Sequence, residues 1–129
     1  MKLDADAMKP IYVQIAEWLE TEILAGNIGG DEKIYSQYQL AEMFNINPAT
    51  AAKGRSILAD EGILYKKRGL GMFVSPGARE GILRKRRDET LKRLIFELVL
   101  EAERLGIQEN ELTDMIRQMK NGLRGEMKS

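Results

Sequence analysis

Asn47, Thr50 and Lys53 lie at the start of a helical pattern and one turn further on, spaced so that the three side chains share an outward face. An Asn carboxamide matches the donor and acceptor edge of adenine, and a Lys ammonium the two acceptors of guanine. A good bidentate contact of this kind discriminates by about 1 to 3 kcal/mol. Asn47 is equally suited to capping the helix it opens, and Thr50 to a plain surface position. Further on, Lys66, Lys67 and Arg68 stand beside Gly69 and Gly71. A thin glycine turn bearing an Arg suits the narrow, electronegative minor groove of duplex DNA, although a glycine pair also serves a hairpin turn alone. Enzymatic chemistry lacks its usual parts. The chain has neither Cys nor His, and it shows no metal-ligand spacing and no phosphate-cradling loop; Ser36 or Tyr38 alone make no nucleophile site. The expectation is a protein that is not an enzyme, with no cofactor and no metal.

The elements that position these residues must come from 129 residues, 43% hydrophobic and 31% charged, enough for one compact domain or two small ones. Net charge is zero, yet its distribution is uneven. Residues 47–87 carry ten Lys and Arg against three Asp and Glu, whereas residues 1–46 carry three against eight. A concentrated basic segment fits a localised polyanion contact, and a merely solvated charged face is the plain alternative. MKLDADAMKP lacks the apolar region of a signal peptide, and no apolar run approaches the roughly 18 residues needed to span a bilayer. The expectation is a cytoplasmic protein with no membrane partner.

Ile11, Ile15, Trp18, Leu19 and Ile23 follow a 3.6-residue period between Pro10 and Gly26, which predicts a first helix from about Pro10 to Ala25. GNIGGDEKIY reads as a surface loop anchored by Ile28 and Ile34. Ser36 with Gln39 three residues on is a capping box ahead of a short second helix carrying Leu40, Ala41, Met43 and Phe44. Asn45-Ile46-Asn47-Pro48 then makes a tight turn, with Asn47 as cap and Pro48 in the first helical position. In the third helix Ala51, Gly54 and Leu58 share the inner face, and Glu61-Gly62 ends it. ILYKK and MFVS, separated by Arg68-Gly69-Leu70-Gly71, predict a basic β-hairpin. Tyr12, Tyr35, Tyr38 and Tyr65 are scattered among these elements and read as packing residues.

Ser75-Pro76-Gly77 reads as a boundary between domains spanning 1–76 and 77–129. Arg84-Lys85-Arg86-Arg87 either touches phosphate at the junction or balances the acidic residues that follow, and the second reading is favoured. Leu91, Leu94, Ile95, Leu98, Val99, Ala102 and Leu105 form an apolar stripe on a fourth helix ending at Gly106. A last helix, opened by Gln108 and Glu111, carries Leu112, Met115, Ile116 and Met119. Such a helical hairpin is too small to bury its stripes alone, so these residues are expected to form a two-fold dimer interface. The fold class expected is mainly α with a small β-hairpin: an N-terminal winged helix-turn-helix followed by a two-helix C-terminal dimerisation domain. In such a unit the third helix enters the major groove while flanking elements hold phosphates. A winged helix that binds another protein, without specific DNA binding, is the alternative.

PIYVQIAEWLETEILAGNI, IYSQYQLAEMFNINPATAAKG and LADEGILYKKRGLGMFV together resemble the DNA-binding domain of the GntR family of bacterial transcription regulators, continuously over residues 10 to 74. Pro10-Ile11-Tyr12, Leu40-Ala41, the Asn-Pro turn, Glu61-Gly62 and Arg68-Gly69-x-Gly71 fall in the family's order and spacing. The Asn47-Pro48 turn and the short tail resemble the YtrA subfamily, whose C-terminal domain is two dimerising helices. The resemblance implies a homodimeric repressor that binds a pseudo-palindromic double-stranded DNA operator of a transport operon. It places DNA contact on Ser36, Gln37, Tyr38, Asn47, Ala49, Thr50, Lys53, Arg68, Gly69 and Gly71. Whether an unidentified small-molecule effector acts on it stays open. Tyr35 stands where the family usually has Pro, Gln37-Tyr38-Gln39 where it has Glu-Arg-Glu, and Arg55 where it has an apolar residue.

Overall fold

The computed structural model describes residues 3, 4 and 8–128. Its elements are α1 (Ile11–Leu24), α2 (Gln37–Phe44), α3 (Pro48–Asp60), β1 (Leu64–Lys67), β2 (Gly71–Val74), α4 (Ala78–Lys85), a π-helical turn (Arg86–Leu91), α5 (Lys92–Leu105) and α6 (Glu109–Lys128). The fold is mainly helical with one antiparallel hairpin, the winged helix-turn-helix that the pattern predicts. The chain divides into two compact units, Met1–Arg86 and Arg87–Ser129.

In the first unit, Ile15, Leu19 and Ile23 of α1, Leu40 and Phe44 of α2, and Ala51 and Leu58 of α3 close a single core together with Ile34, Leu64, Val74 and Ile82. The hairpin pairs Leu64 with Val74 and Lys67 with Gly71, so Leu64 and Val74 face the core while Tyr65, Lys67 and Phe73 share the opposite face. Ile28 and Ile34 are buried as expected of loop anchors. The second half of that loop is more ordered than the sequence reading: Asp31 N donates to Val74 O (2.7 Å), Val74 N to Glu32 O (2.9 Å) and Ile34 N to Met72 O (2.9 Å), which adds a third extended segment to the β2 edge. A strand edge left bare would expose unpaired backbone groups, and this segment satisfies them.

Residues 77–86, grouped with the C-terminal helices in the sequence reading, lie in the first unit. Ala78 and Ile82, four residues apart on α4, are buried in its core against α1. The expected fourth helix is thus α4, a π-helical turn and α5. In the second unit Gly106 ends α5 in the left-handed conformation (φ 70°), the cap glycine allows. Among the described residues of this unit Ala102 alone is buried, Ile107 and Leu112 are half-buried, and the rest of both apolar stripes is exposed. No described helix is long and apolar enough to cross a membrane.

Candidate nucleic-acid interface

Two local devices aim α2 and α3. Ser36 Oγ accepts from Gln39 N (3.0 Å) while Gln39 Oε1 accepts from Ser36 N (2.8 Å), the reciprocal box predicted from their spacing. Asn45 leaves α2 in the left-handed conformation (φ 54°), and Asn47 Oδ1 accepts from Ala49 N (2.8 Å) to cap α3 ahead of Pro48. Asn47 therefore does cap the helix it opens. With Ala51, Gly54 and Leu58 turned inward, Ala49 and Lys53 are exposed and Thr50 is half-buried. At Gly54 an added Cβ would lie 2.8 Å from Ile15 Cγ2 and 2.9 Å from the Tyr12 carbonyl oxygen, so only glycine lets α3 come this close to α1.

That approach sets Lys53 Nζ over the Tyr12 ring, 4.0 Å from its centroid. The scattered-tyrosine reading missed this pairing. Gln37 is half-buried at the start of α2, and Tyr38 beside it is 69% exposed. On the wing, Gly69 (φ 77°) and Gly71 (φ 108°) take the positive φ that the turn demands, and Arg68 is exposed at the tip. Lys33 from the third extended segment lies so close to Gly71 that a Cβ there would sit 2.9 Å from its Cε. Lys67 Nζ lies 4.5 Å from the centre of the Phe73 ring. Tyr65 stacks on Phe73 and donates to Asp31 Oδ1 (2.7 Å); this hydrogen bond, with a smaller effect of burial and the Asp31 charge, raises the Tyr65 pKa above its ordinary value.

The cations of residues 47–87 fall into two groups. Among the described residues Lys53, Lys66, Lys67 and Arg68, on α3 and the wing, have no carboxylate partner, and neither do Arg55, Arg79 and Arg84. Lys85 and Arg86 are neutralised: Lys85 Nζ sits 2.7 Å from Glu20 Oε2 and 2.6 Å from Glu61 Oε2, and Arg86 lies 3.6 Å from Glu20. Burial pulls the Lys85 pKa down, and its hydrogen bonds to the two carboxylates more than offset this, leaving it raised. The sequence reading had this basic run balancing the acids that follow. Only Arg87 does so, through Asp88; Lys85 and Arg86 answer acids of α1 and the end of α3.

Along its whole length the chain is 26% identical to the HTH-type transcriptional repressor YtrA of Bacillus subtilis, over 129 residues that cover 100% of this chain and 98% of YtrA. A GntR family transcriptional regulator from Listeria monocytogenes superposes with a TM-score of 0.72 at 28% identity, covering 88% of this chain and 97% of that one. The chain belongs to the GntR family. The end-to-end match to YtrA sets it among the YtrA-like GntR proteins. It is also 37% identical over 83 residues to the HTH-type transcriptional repressor NagR of Bacillus subtilis, 64% of this chain but only 34% of NagR, so it spans about a third of that relative's length. The AraR DBD, solved in complex with operator ORX1, matches 58% of this chain and 95% of its own, at 30% identity and TM-score 0.54. No family model matches the chain.

Two of the departures from the GntR pattern, Tyr35 and Arg55, find partners in the structure. Tyr35 packs against Trp18 with the rings tilted (5.8 Å between ring centres), and Trp18 in turn meets Phe44 edge-on. Arg55, half-buried on α3, donates from Nη1 to the Tyr35 carbonyl (3.3 Å), and burial lowers its pKa. The two unusual residues at 35 and 55 thus touch each other, bracing α3 against the entry to α2. Tyr38 makes no such contact and stays open to solvent.

Proposed function

We propose that this GntR-family chain is a sequence-specific transcription regulator of the cytoplasm, a homodimeric repressor of a transport operon. The observation that carries the reading is a group of cations on α3 and the wing: Lys53, Lys66, Lys67 and Arg68 stand exposed, without a carboxylate partner among the described residues, whereas Lys85 and Arg86 are neutralised by Glu20 and Glu61. Exposed, unpaired cations are what a phosphate backbone recruits, since each contact releases a condensed counterion. In this reading α3 presents Asn47, Ala49, Thr50 and Lys53 to base edges and neighbouring phosphates. Ser36, Gln37 and Tyr38 meet the backbone at the start of α2, and Arg68, Gly69 and Gly71 enter the minor groove. The AraR DBD in complex with its operator supports a duplex partner, and the names of YtrA and NagR support repression.

The exposed part of the α5 and α6 stripes, Leu91, Leu94, Ile95, Leu98, Val99 and Leu105 with Met115, Ile116 and Met119, supports a homodimer, because an isolated chain leaves these side chains in water. Two reading heads then meet a pseudo-palindromic operator at half-sites about 34 to 36 Å apart. The test is an anisotropy titration against DNA upstream of the chain's own gene, at two salt concentrations and with scrambled competitor. Binding that is specific and weakens with salt supports the reading; binding without preference for that DNA overturns it, and salt-insensitive capture of a protein instead favours an interaction module. Arg68→Ala is expected to weaken binding and lower the salt slope by about one, and an unchanged slope removes the wing from the contact.

A further inference from the structure

We infer that Tyr12 is a positioning residue for DNA recognition, acting through Lys53; this rests on the DNA-binding reading above and adds to it a residue of α1. Lys53 Nζ stands 4.0 Å from the centre of the Tyr12 ring, inside the roughly 6 Å within which a ring quadrupole attracts an ammonium. Lys53 is exposed and among the described residues has no carboxylate partner, so the ring is what holds its charged end. The placement is not a loose surface encounter. Tyr12 belongs to the first turn of α1, where its carbonyl oxygen is one of the atoms that a Cβ at Gly54 would strike at 2.9 Å. Lys53 is the residue just before that glycine, at the tightest approach of α3 to α1.

A lysine stem has several rotatable bonds, and much of their rotamer freedom is lost when the ammonium settles on a single acceptor. A ring that already confines the stem lowers the cost of that step, and it does so without consuming the ammonium's N–H donors, because the attraction is to the ring face. Tyr12 thus fixes where the Lys53 charge is delivered while Lys53 makes the contact. A direct contact from the Tyr12 hydroxyl is the rival arrangement, and the conservative variant separates the two.

The experiment is a double-mutant cycle with Tyr12→Leu, Tyr12→Phe and Lys53→Met in the full chain. It is read against the duplex that the wild-type protein enriches from a random-sequence pool, with a scrambled duplex alongside. Tyr12→Leu is expected to weaken operator binding about two- to fivefold, Tyr12→Phe to keep wild-type affinity, and Tyr12→Leu to have no further effect once Lys53 is Met. In the free protein the Lys53 ε-methylene protons are expected upfield from the ring current, a shift kept in Tyr12→Phe and lost in Tyr12→Leu. A loss that persists in the Lys53→Met background is a folding effect or a direct Tyr12 contact and overturns the inference. So does loss of affinity in Tyr12→Phe, or absence of the ring-current shift. If the pool yields no enriched duplex, the function reading falls and this role falls with it, whereas an enriched duplex with an additive cycle removes the Tyr12 role alone.

Discussion

In Met1–Arg86 the large apolar side chains close on one another, so that Ile15, Leu19, Leu40, Leu58 and Ile82 keep no accessible surface. In Arg87–Ser129 Leu94, Ile95, Leu98, Val99, Met115 and Ile116 each stand between about two-fifths and half exposed. Both segments carry helices with regular apolar spacing, so periodicity alone does not separate them. What separates them is the number of elements available to cover a face. Four helices, the hairpin and the segment paired to its β2 edge surround one core in the first unit, and even the buried Glu20, 2% exposed, finds Lys85. Two helices alone cannot enclose a core of useful size. The first unit encloses its own core, and the second leaves its apolar stripes largely open, as the proposed homodimer requires.

The largest effects that test this contrast come from one substitution in each unit. Leu19→Ala empties a fully buried site and is expected to cost about 2 to 5 kcal/mol, at any protein concentration, in a denaturant melt of the first unit. Leu98→Asp, at a position 42% exposed in the single chain, is expected to leave that melt in place and convert a dimer to monomers by light scattering, because an unpaired carboxylate in an apolar interface is strongly unfavourable. A Leu19→Ala melt that depends on concentration, or a Leu98→Asp protein that remains dimeric, breaks the contrast.

Next in size is the ion cluster that ties α4 to α1 and the end of α3. Lys85→Met leaves Glu20 buried with only Arg86, 3.6 Å away, and is expected to cost about 3 kcal/mol, the low end for breaking a buried pair. Because folding raises the Lys85 pKa, its contribution is fully present below the unfolded lysine value of about 10.4 and fades as pH rises through the folded value. Tyr65 is also raised and fades in the same sense. The useful quantity is therefore the difference in stability between wild type and Lys85→Met, which cancels Tyr65: flat from neutral pH to about 10, then shrinking. A difference that does not shrink above that range removes Lys85 from the cluster's energetics.

What was legible in the sequence was local. The Ser36–Gln39 box and the Asn47-Pro48 cap lie within three residues of their partners, and both formed as spelled. The contacts that were missed join distant residues: Lys85 reaches Glu20 across 65 positions and Tyr65 reaches Asp31 across 34, and no spacing rule marks such pairs. The Asp31–Ile34 segment hid behind glycine and charge, because its strand character comes from the β2 edge and not from its own residues. Ala78 and Ile82 did carry a readable four-residue spacing, and the preceding Pro76-Gly77 break obscured that α4 belongs with the helices before it. At the candidate interface the exposure of Asn47 and Lys53 was legible, whereas the Tyr12 ring under Lys53 required the packing of α3 on α1.

The smallest effects come from one substitution made twice, with opposite signs. Gly54→Ala gains the helix preference of alanine, about 0.8 to 1.0 kcal/mol, but its methyl meets Ile15 and the Tyr12 carbonyl at 2.8 to 2.9 Å. A backbone oxygen cannot swing aside as a side-chain end can, and overpacking of this kind costs about 1 to 3 kcal/mol. The net expectation is a loss of about 1 kcal/mol, a melting temperature lower by about 4 to 8 °C for a unit of this size. Gly125, on α6, has nothing within 4 Å of where its Cβ would be. Gly125→Ala is therefore expected to raise the helicity of α6 and to stabilise it by less than 1 kcal/mol, since the site lies near the helix end. Thermal melts followed by circular dichroism read both. If Gly54→Ala stabilises the first unit, α3 does not sit on α1 as tightly as the geometry requires. If Gly125→Ala destabilises α6, that face is already covered, and the second unit is less open than its exposed stripes indicate.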